Sequence, residues 1–156
     1  MMRQPKAYLE TTFFNFCFAE DAPKEQRDTL ALLEEIRAGK YNPYTSDYVM
    51  QELLRASEPL RGQMTGLIDE NGMTVLPTGP EAKRLADLYI KEGVIPQKHI
   101  TDALHIAVAS VHDLDFIVSL NFKHIVKRKT LTMTESINLR EGYKRIGIFS
   151  PTEVIE

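Results

Sequence analysis

Acidic and polar side chains follow two short apolar stretches that each have the character of a β-strand. Glu10 comes directly after Ala7-Tyr8-Leu9 near the start of the chain, and Asn121 comes directly after the apolar run over residues 115–120. In parallel α/β sheets, binding sites form at the carboxyl ends of strands, where the strand order reverses. If these two strands are neighbours, Glu10 and Asn121 face each other across such a crevice.

Glu52 is a third candidate, because it borders the apolar face of a predicted helix. The helix begins at Ser46 or Asp47, either of which is a good N-cap, and extends to about residue 57. A carboxylate at the edge of a buried face needs a partner. Binding of a ligand and a salt bridge to an arginine both explain its position.

Asp102 is the most informative of the acidic residues. It lies in the first turn of the helix predicted over residues 98–112, which is apolar on nearly every side. His105 and His112 continue a polar line along the same helix. Capping of the helix by Asp102 is an alternative explanation, and a hydrogen-bonded core position is an alternative for His105.

These oxygen-rich side chains favour Mg²⁺ or Mn²⁺ as the ligand. The histidines and the single cysteine show none of the close paired spacings of a zinc site. The sequence also has no glycine-rich phosphate loop and no G-x-S-x-G motif. Hydrolysis of nucleotides by a P-loop and acyl transfer are therefore disfavoured, as is a Rossmann-like enzyme acting on a small phosphorylated molecule.

Composition is typical of one globular domain. The chain has 156 residues, of which 43% are hydrophobic, so we expect a single domain over residues 1–156. Cys17 is the only cysteine, which excludes an intrachain disulfide and fits a reducing compartment. The sequence has neither the apolar segment of a signal peptide nor a run long enough to span a membrane. We expect a soluble cytoplasmic protein with no membrane partner.

Charge is distributed unevenly along the chain. The net charge is −3, yet residues 121–145 hold seven Lys or Arg and two Glu. Such a segment is typical of a surface that binds a polyanion, and it is equally typical of solvated helix faces.

Strands and helices alternate in the predicted order of elements. Strands are expected over residues 6–10, 42–46, 73–77, 115–120 and 145–150, and helices over residues 24–38, 47–57, 60–70, 80–92, 98–112, 121–129 and 134–143. This alternation predicts an α/β fold with a parallel sheet covered on both faces.

Four segments together resemble the PIN-domain ribonucleases, which include the VapC-like toxins. They are AYLETTFFNF, TSDYVMQELLRA, ITDALHIAVA and DFIVSLNFKHI, and they occur in the family's order. The resemblance implies a three-layer α/β/α fold with a sheet of about five strands in the order 3-2-1-4-5. It also implies a Mg²⁺- or Mn²⁺-dependent endoribonuclease that cleaves RNA, acts as the toxin of a type II toxin–antitoxin pair, binds an antitoxin and forms a homodimer.

The resemblance assigns roles to individual residues. Glu10, Glu52, Asp102 and Asn121 take the positions of the acidic cluster, with Glu10 and Asp102 as metal ligands. Thr11 and His105 take supporting roles, Thr11 by helping to hold a water on the ion. Lys123, His124, Lys127 and Arg128 are the candidates for contacts with RNA phosphates.

Two positions depart from the family pattern. Glu10 and Asn121 both stand where aspartate is usual, so one side chain is longer and the other uncharged. Because Asn121 removes a negative charge, metal affinity is expected to fall. The alternative function is therefore a catalytically weakened or inactive PIN-like module that binds RNA or protein.

Overall fold

The computed structural model describes residues 3–156, and these contain a five-stranded parallel sheet in the order β3-β2-β1-β4-β5. The strands are β1 (Lys6–Leu9), β2 (Asn42–Ser46), β3 (Thr74–Leu76), β4 (Phe116–Val118) and β5 (Gly147–Phe149). β1 pairs with β2 on one side and with β4 on the other, where Leu9 lies opposite Val118. The predicted α/β fold and its 3-2-1-4-5 strand order are confirmed.

Helices cover both faces of the sheet. They are α1 (Thr11–Cys17), α2 (Pro23–Arg37), α3 (Asp47–Leu53), α4 (Leu60–Glu70), α5 (Pro80–Lys91), α6 (Ile100–Val111), α7 (Arg128–Arg140) and α8 (Pro151–Val154). One group contains α5 and α6, which pack together, and another contains α1 to α4 and α8. Every residue of β4 is buried, as expected for a central parallel strand between two helical layers.

Local sequence signals explain why α3 and α6 begin where they do. The Ser46 hydroxyl accepts a hydrogen bond from the Val49 amide at 3.1 Å and caps α3. A 3₁₀ turn over Gln97–His99 leads into α6, whose residues 103–110 are all buried. The predicted N-cap of α3 is correct, but the helix ends at Leu53 and not near residue 57.

Three features differ from the elements predicted from sequence. Residues 121–127 form turns where part of a helix was expected. In place of the helices predicted over residues 121–129 and 134–143, the structure has the single helix α7. Helix α1 was not predicted, because the β-branched and aromatic residues of TTFFNFC obscure a helical pattern. Helix α8 was also missed, although the capping box of Ser150 and Glu153 is a recognisable signal.

The topology brings the carboxyl ends of β1 and β4 together, with α3 following β2 beside them. Leu9 is followed by Glu10, and the backbone amide of Glu10 donates to the Val118 carbonyl at 3.2 Å. Ser119 follows β4 directly, and Asn121 lies two residues further along the chain. The carboxyl ends of the central strands β1 and β4 therefore position the candidate site.

Candidate active site

Glu10 is a buried carboxylate at the end of the central strand. It is 3% exposed, and it is also the N-cap residue of α1. Its Oε2 accepts hydrogen bonds from the Thr12 hydroxyl at 2.6 Å and the Ser119 hydroxyl at 2.7 Å. Within residues 3–156 no hydrogen bond uses its other oxygen, Oε1. One oxygen is thus fixed by the protein, and the other is available to a ligand.

The hydroxyls that hold Glu10 also fix the chain after β4. The Leu120 amide donates to the Thr12 Oγ1 at 2.7 Å, and the Asn121 amide donates to the Ser119 Oγ at 2.9 Å. Sequence reasoning missed both Thr12 and Ser119 as site residues. Thr12 is only two positions from Glu10, so its contact is local. The contact of Ser119 with Glu10 joins positions more than a hundred residues apart, so only the fold reveals it.

Glu52 lies on α3 and accepts two hydrogen bonds at the same oxygen. The Thr11 hydroxyl donates to Oε1 at 2.6 Å, and the His105 Nε2 lies 2.8 Å from it. The expected partner of this half-buried carboxylate was a ligand or an arginine, and the structure provides His105. Thr11 therefore orients Glu52, the neighbouring acid in the cluster.

His105 is fully buried and forms the centre of a polar network. Its Nδ1 lies 2.7 Å from the Tyr8 hydroxyl, which lies 2.8 Å from the Ser46 hydroxyl. With Glu52 at its Nε2, both ring nitrogens of His105 have partners. Tyr8 was not predicted as a site residue, because its position within the strand is typical of an ordinary core residue.

Three carboxylates act on the His105 imidazole. Burial alone lowers the pKa of His105, but the hydrogen bond with Glu52 and the charges of Glu10, Glu52 and Asp102 raise it overall. These acids come from the end of β1, from α3 and from α6, so negative charge from three elements acts on one imidazole. His112, the other histidine of the predicted polar line, lies at the far end of α6 and contacts the Pro77 carbonyl at 3.2 Å.

The pKa values of Glu10 and Glu52 shift in opposite directions. Burial raises the pKa of Glu10, although the charge on His105 and the hydroxyls of Ser119 and Thr12 oppose that shift. Burial also acts to raise the pKa of Glu52, but the hydrogen bond and charge of His105 lower it overall. Glu52 is thus hydrogen-bonded directly to His105, whereas the hydrogen bonds of Glu10 come from neutral hydroxyls.

Asp102 lies in the first turn of α6, where its side chain is 17% exposed. Its Oδ2 is 4.0 Å from the Nδ1 of His99. The ring of His124 stacks on His99 with ring centroids 4.0 Å apart. Burial and the nearby His99 lower the pKa of His124, although Asp102 opposes the shift.

Asn121 shapes the turn that follows β4. Its Oδ1 accepts a hydrogen bond from the His124 amide at 3.0 Å, and its carbonyl accepts from the amides of Ile125 and Val126. This capping positions His124 next to His99. The Asn121 side-chain oxygen therefore has a structural partner within the turn.

Exposed basic residues lie within this turn and at the start of α7. Lys123, Lys127 and Arg128 are exposed, as is the aromatic ring of Phe122, at 56%. Phe122, Lys127 and Arg128 help to line a cavity of about 400 Å³. Sequence reasoning identified the basic residues but missed Phe122, because residue type alone does not distinguish an exposed phenylalanine from a core one.

The comparisons with known proteins agree with this fold. A family model described as PIN domain matches residues 7–128, so the chain belongs to the PIN-domain family. Among solved structures, it is similar to the crystal structure of VapBC2 from Rickettsia felis bound to a DNA fragment from their promoter. That match has a TM-score of 0.52 and 13% identity and covers 93% of this chain and 98% of the other. No curated protein matches the sequence.

Glu10 and Asp102 carry the kind of oxygen donor that suits the divalent ions PIN nucleases generally use, whereas the cluster of three donors within the described residues joins Asp102 to His99 and His124 and does not contain Glu10. Glu10 offers Oε1, and Asp102 offers a partly exposed carboxylate at the same end of the sheet. Such oxygen donors suit Mg²⁺ or Mn²⁺, which keep several waters and need few carboxylates.

None of the helices in the described part of the chain, residues 3–156, has the length and hydrophobicity that a membrane-spanning segment requires.

Proposed function

We propose that this PIN-domain chain is a metal-dependent endoribonuclease that hydrolyses RNA phosphodiester bonds. The observation that carries the proposal is the placement of Glu10 at the carboxyl end of the central strand pair, beside Glu52, which is hydrogen-bonded to His105 of α6, the helix that also carries Asp102. In parallel α/β folds this is the region where ligands bind. The family match over residues 7–128 supports a nuclease of this class.

Each acidic residue has a distinct role in this proposal. Glu10 and Asp102 hold Mg²⁺ or Mn²⁺, and the hydroxyls of Thr12 and Ser119 fix the Glu10 carboxylate for that purpose. The bound ion supplies a Lewis acid that stabilises negative charge developing on the phosphate. Glu52, held by Thr11 and His105, orients the attacking water and accepts its proton.

RNA binds along the basic surface that follows Asn121. Lys123, Lys127 and Arg128 contact phosphates, and their exposure leaves their charges accessible. Phe122 provides an exposed ring on which a base can stack. This surface begins directly after Asn121 in the sequence. RNA bound there is therefore proposed to reach the acidic site for cleavage.

The likeness to VapBC2 supports a toxin–antitoxin context. We propose that the chain is the toxin of a type II pair, that an antitoxin protein binds it, and that it acts as a homodimer in the cytoplasm. Co-purification with the product of a neighbouring small gene, followed by light scattering of the complex and of the isolated chain, tests both associations.

Cleavage of RNA by purified protein is the direct test of activity. Wild-type protein with Mg²⁺ or Mn²⁺ is expected to cut single-stranded RNA, and the chelated protein is expected to be inactive. Asp102→Ala should abolish cleavage, whereas Asp87→Ala, an acid on α5, should leave it unchanged. Equal cleavage by wild type and Asp102→Ala would assign the activity to a contaminant.

A catalytically weakened binding module is the second candidate, and two observations favour it. Burial raises the pKa of Glu10, which disfavours the charged form, and Asn121 already serves as a turn cap. The Glu10→Asp, Asn121→Asp double variant discriminates between the two functions. A large gain in metal binding and cleavage would identify a decayed nuclease, whereas strong wild-type activity would exclude the weakened module.

A further inference from the structure

Two histidines and Asp102 bring nitrogen and oxygen donors together beside the acidic cluster. His99 ends the 3₁₀ turn before α6, Asp102 lies in the first turn of α6, and His124 lies in the turn after β4. One ligand atom from each lies within 4.8 Å of the other two. Atoms bound to one ion at about 2.1 Å are at most about 4.2 Å apart. The three donors are therefore already near the spacing that one ion requires.

The position of His124 is fixed, but one of its nitrogens has no partner. The backbone amide donates to Asn121 Oδ1 at 3.0 Å, the carbonyl accepts from the Thr130 hydroxyl at 2.8 Å, and the ring stacks on His99. Within residues 3–156, Nε2 is buried without a hydrogen-bond partner. Buried polar atoms of native proteins are usually satisfied, so this nitrogen points to a ligand.

We propose that His99, Asp102 and His124 bind a divalent transition-metal ion of the Zn²⁺ type. Imidazole is a poor ligand for Mg²⁺ and a good one for zinc and its neighbours. Two imidazoles and one carboxylate also make a three-ligand site that leaves a position open. Sequence spacing did not indicate such a site, because His99 and His124 are 25 positions apart and belong to different elements.

The site shares Asp102 with the ion proposed for catalysis but takes its other ligands from His99 and His124 instead of Glu10. The inference does not depend on ribonuclease activity. Removal of a histidine or of Glu10 therefore tests one site without removing a ligand of the other.

Binding of Zn²⁺ to untagged, metal-free protein tests the inference. Competition with a chromophoric chelator is expected to detect a single Zn²⁺ per chain, and His99→Ala and His124→Ala should each weaken binding by about tenfold or more. His112→Ala is the matched control, because that histidine contacts Pro77 at the other end of α6. Its Zn²⁺ affinity should equal that of the wild type.

Two further measurements separate the alternatives. Co²⁺ should give a visible absorption band with histidine ligands in the wild type, and the His99→Ala, His124→Ala double variant should lack that band. Glu10→Gln should retain the wild-type affinity for Zn²⁺. Absence of Zn²⁺ binding by the wild type, unchanged binding by the double variant, or an equal loss in Glu10→Gln would each overturn the site. Zn²⁺ binding through the histidines without RNA cleavage would overturn only the proposed function.

Discussion

The Nε2 of His105 lies 2.8 Å from the Oε1 of Glu52, and this contact joins α6 to α3 at the edge of the central strands. The other ring nitrogen contacts the hydroxyl of Tyr8 on β1. One buried imidazole thus connects two helices and the central strand. Because each partner is itself hydrogen-bonded, the network fixes the direction of the Glu52 carboxylate.

Removal of the Tyr8 hydroxyl tests the structural importance of this network. Tyr8→Phe should lower the free energy of unfolding by about 1–3 kcal/mol, because it leaves a buried nitrogen of His105 without a partner. Urea denaturation measures this change in stability. Tyr41→Phe is the matched control, since its half-buried hydroxyl makes a single hydrogen bond to the Val154 carbonyl. A larger destabilisation in the control than in Tyr8→Phe would contradict the network.

Glu10→Gln should stabilise the metal-free protein while it abolishes metal-dependent cleavage. The amide oxygen of glutamine can accept both hydroxyl hydrogen bonds that now end on Oε2, and the buried charge is removed. A gain of about 1 kcal/mol corresponds to a rise in Tm of about 2–4 °C for a chain of this size. Calorimetry in a chelating buffer measures it.

The stabilisation by Glu10→Gln should depend on pH. Since burial raises the folded-state pKa of Glu10, the folded protein binds this proton more tightly than the unfolded chain. Ionisation of the buried Glu10 lowers the free energy of unfolding. This loss is absent below the ordinary glutamate pKa of about 4.3 and grows as the pH rises through the folded-state pKa. The difference in stability between variant and wild type should therefore increase with pH. A difference that shrinks over this interval would refute the assignment.

Thr12→Val should reduce metal affinity and cleavage by about 10–100-fold, because it removes a hydroxyl that orients Glu10, the proposed metal ligand. Isothermal titration with Mn²⁺ and cleavage rates measure the two effects. Thr12→Ser retains the hydroxyl and should remain close to wild type. If Thr12→Val and Thr12→Ser behave alike, the hydroxyl has no role in positioning Glu10.

Lys127→Ala should weaken RNA binding at every sequence, since an interaction with phosphate carries no base specificity. If Lys127 neutralises one phosphate of a single strand, the slope of log affinity against log salt should become shallower by about 0.7 in the variant. Fluorescence anisotropy in a chelating buffer measures both quantities without cleavage. Lys24→Ala, on the exposed start of α2, is the control and should leave the slope unchanged.

Much of the fold was predictable because its signals are local. The continuous apolar run before Asn121 and the apolar helix around His105 indicated buried elements of a parallel α/β fold. The family resemblance supplied the strand order, and the sheet confirms it. The turn over residues 121–127 was not predictable, because the Asn121 side chain replaces a helical hydrogen-bonding pattern with a cap.

The site was predictable only in part, and the reason is the range of its contacts. Glu10, Glu52 and Asp102 could be proposed because each carboxylate borders an apolar element. The hydroxyls that hold Glu10 belong to Thr12, two residues after Glu10, and to Ser119, the first residue after β4. Serine and threonine are common at such ends, so their types alone indicate no role.

Crystals soaked in Mn²⁺ and measured at an anomalous wavelength would show whether Glu10 and Asp102 share one ion. We expect a peak within about 2.0–2.3 Å of one Glu10 oxygen and one Asp102 oxygen, with Glu52 facing the same ion. A peak bound only by His99 and His124, or Glu10 and Asp102 oxygens too far apart to share an ion, would refute the proposed catalytic site.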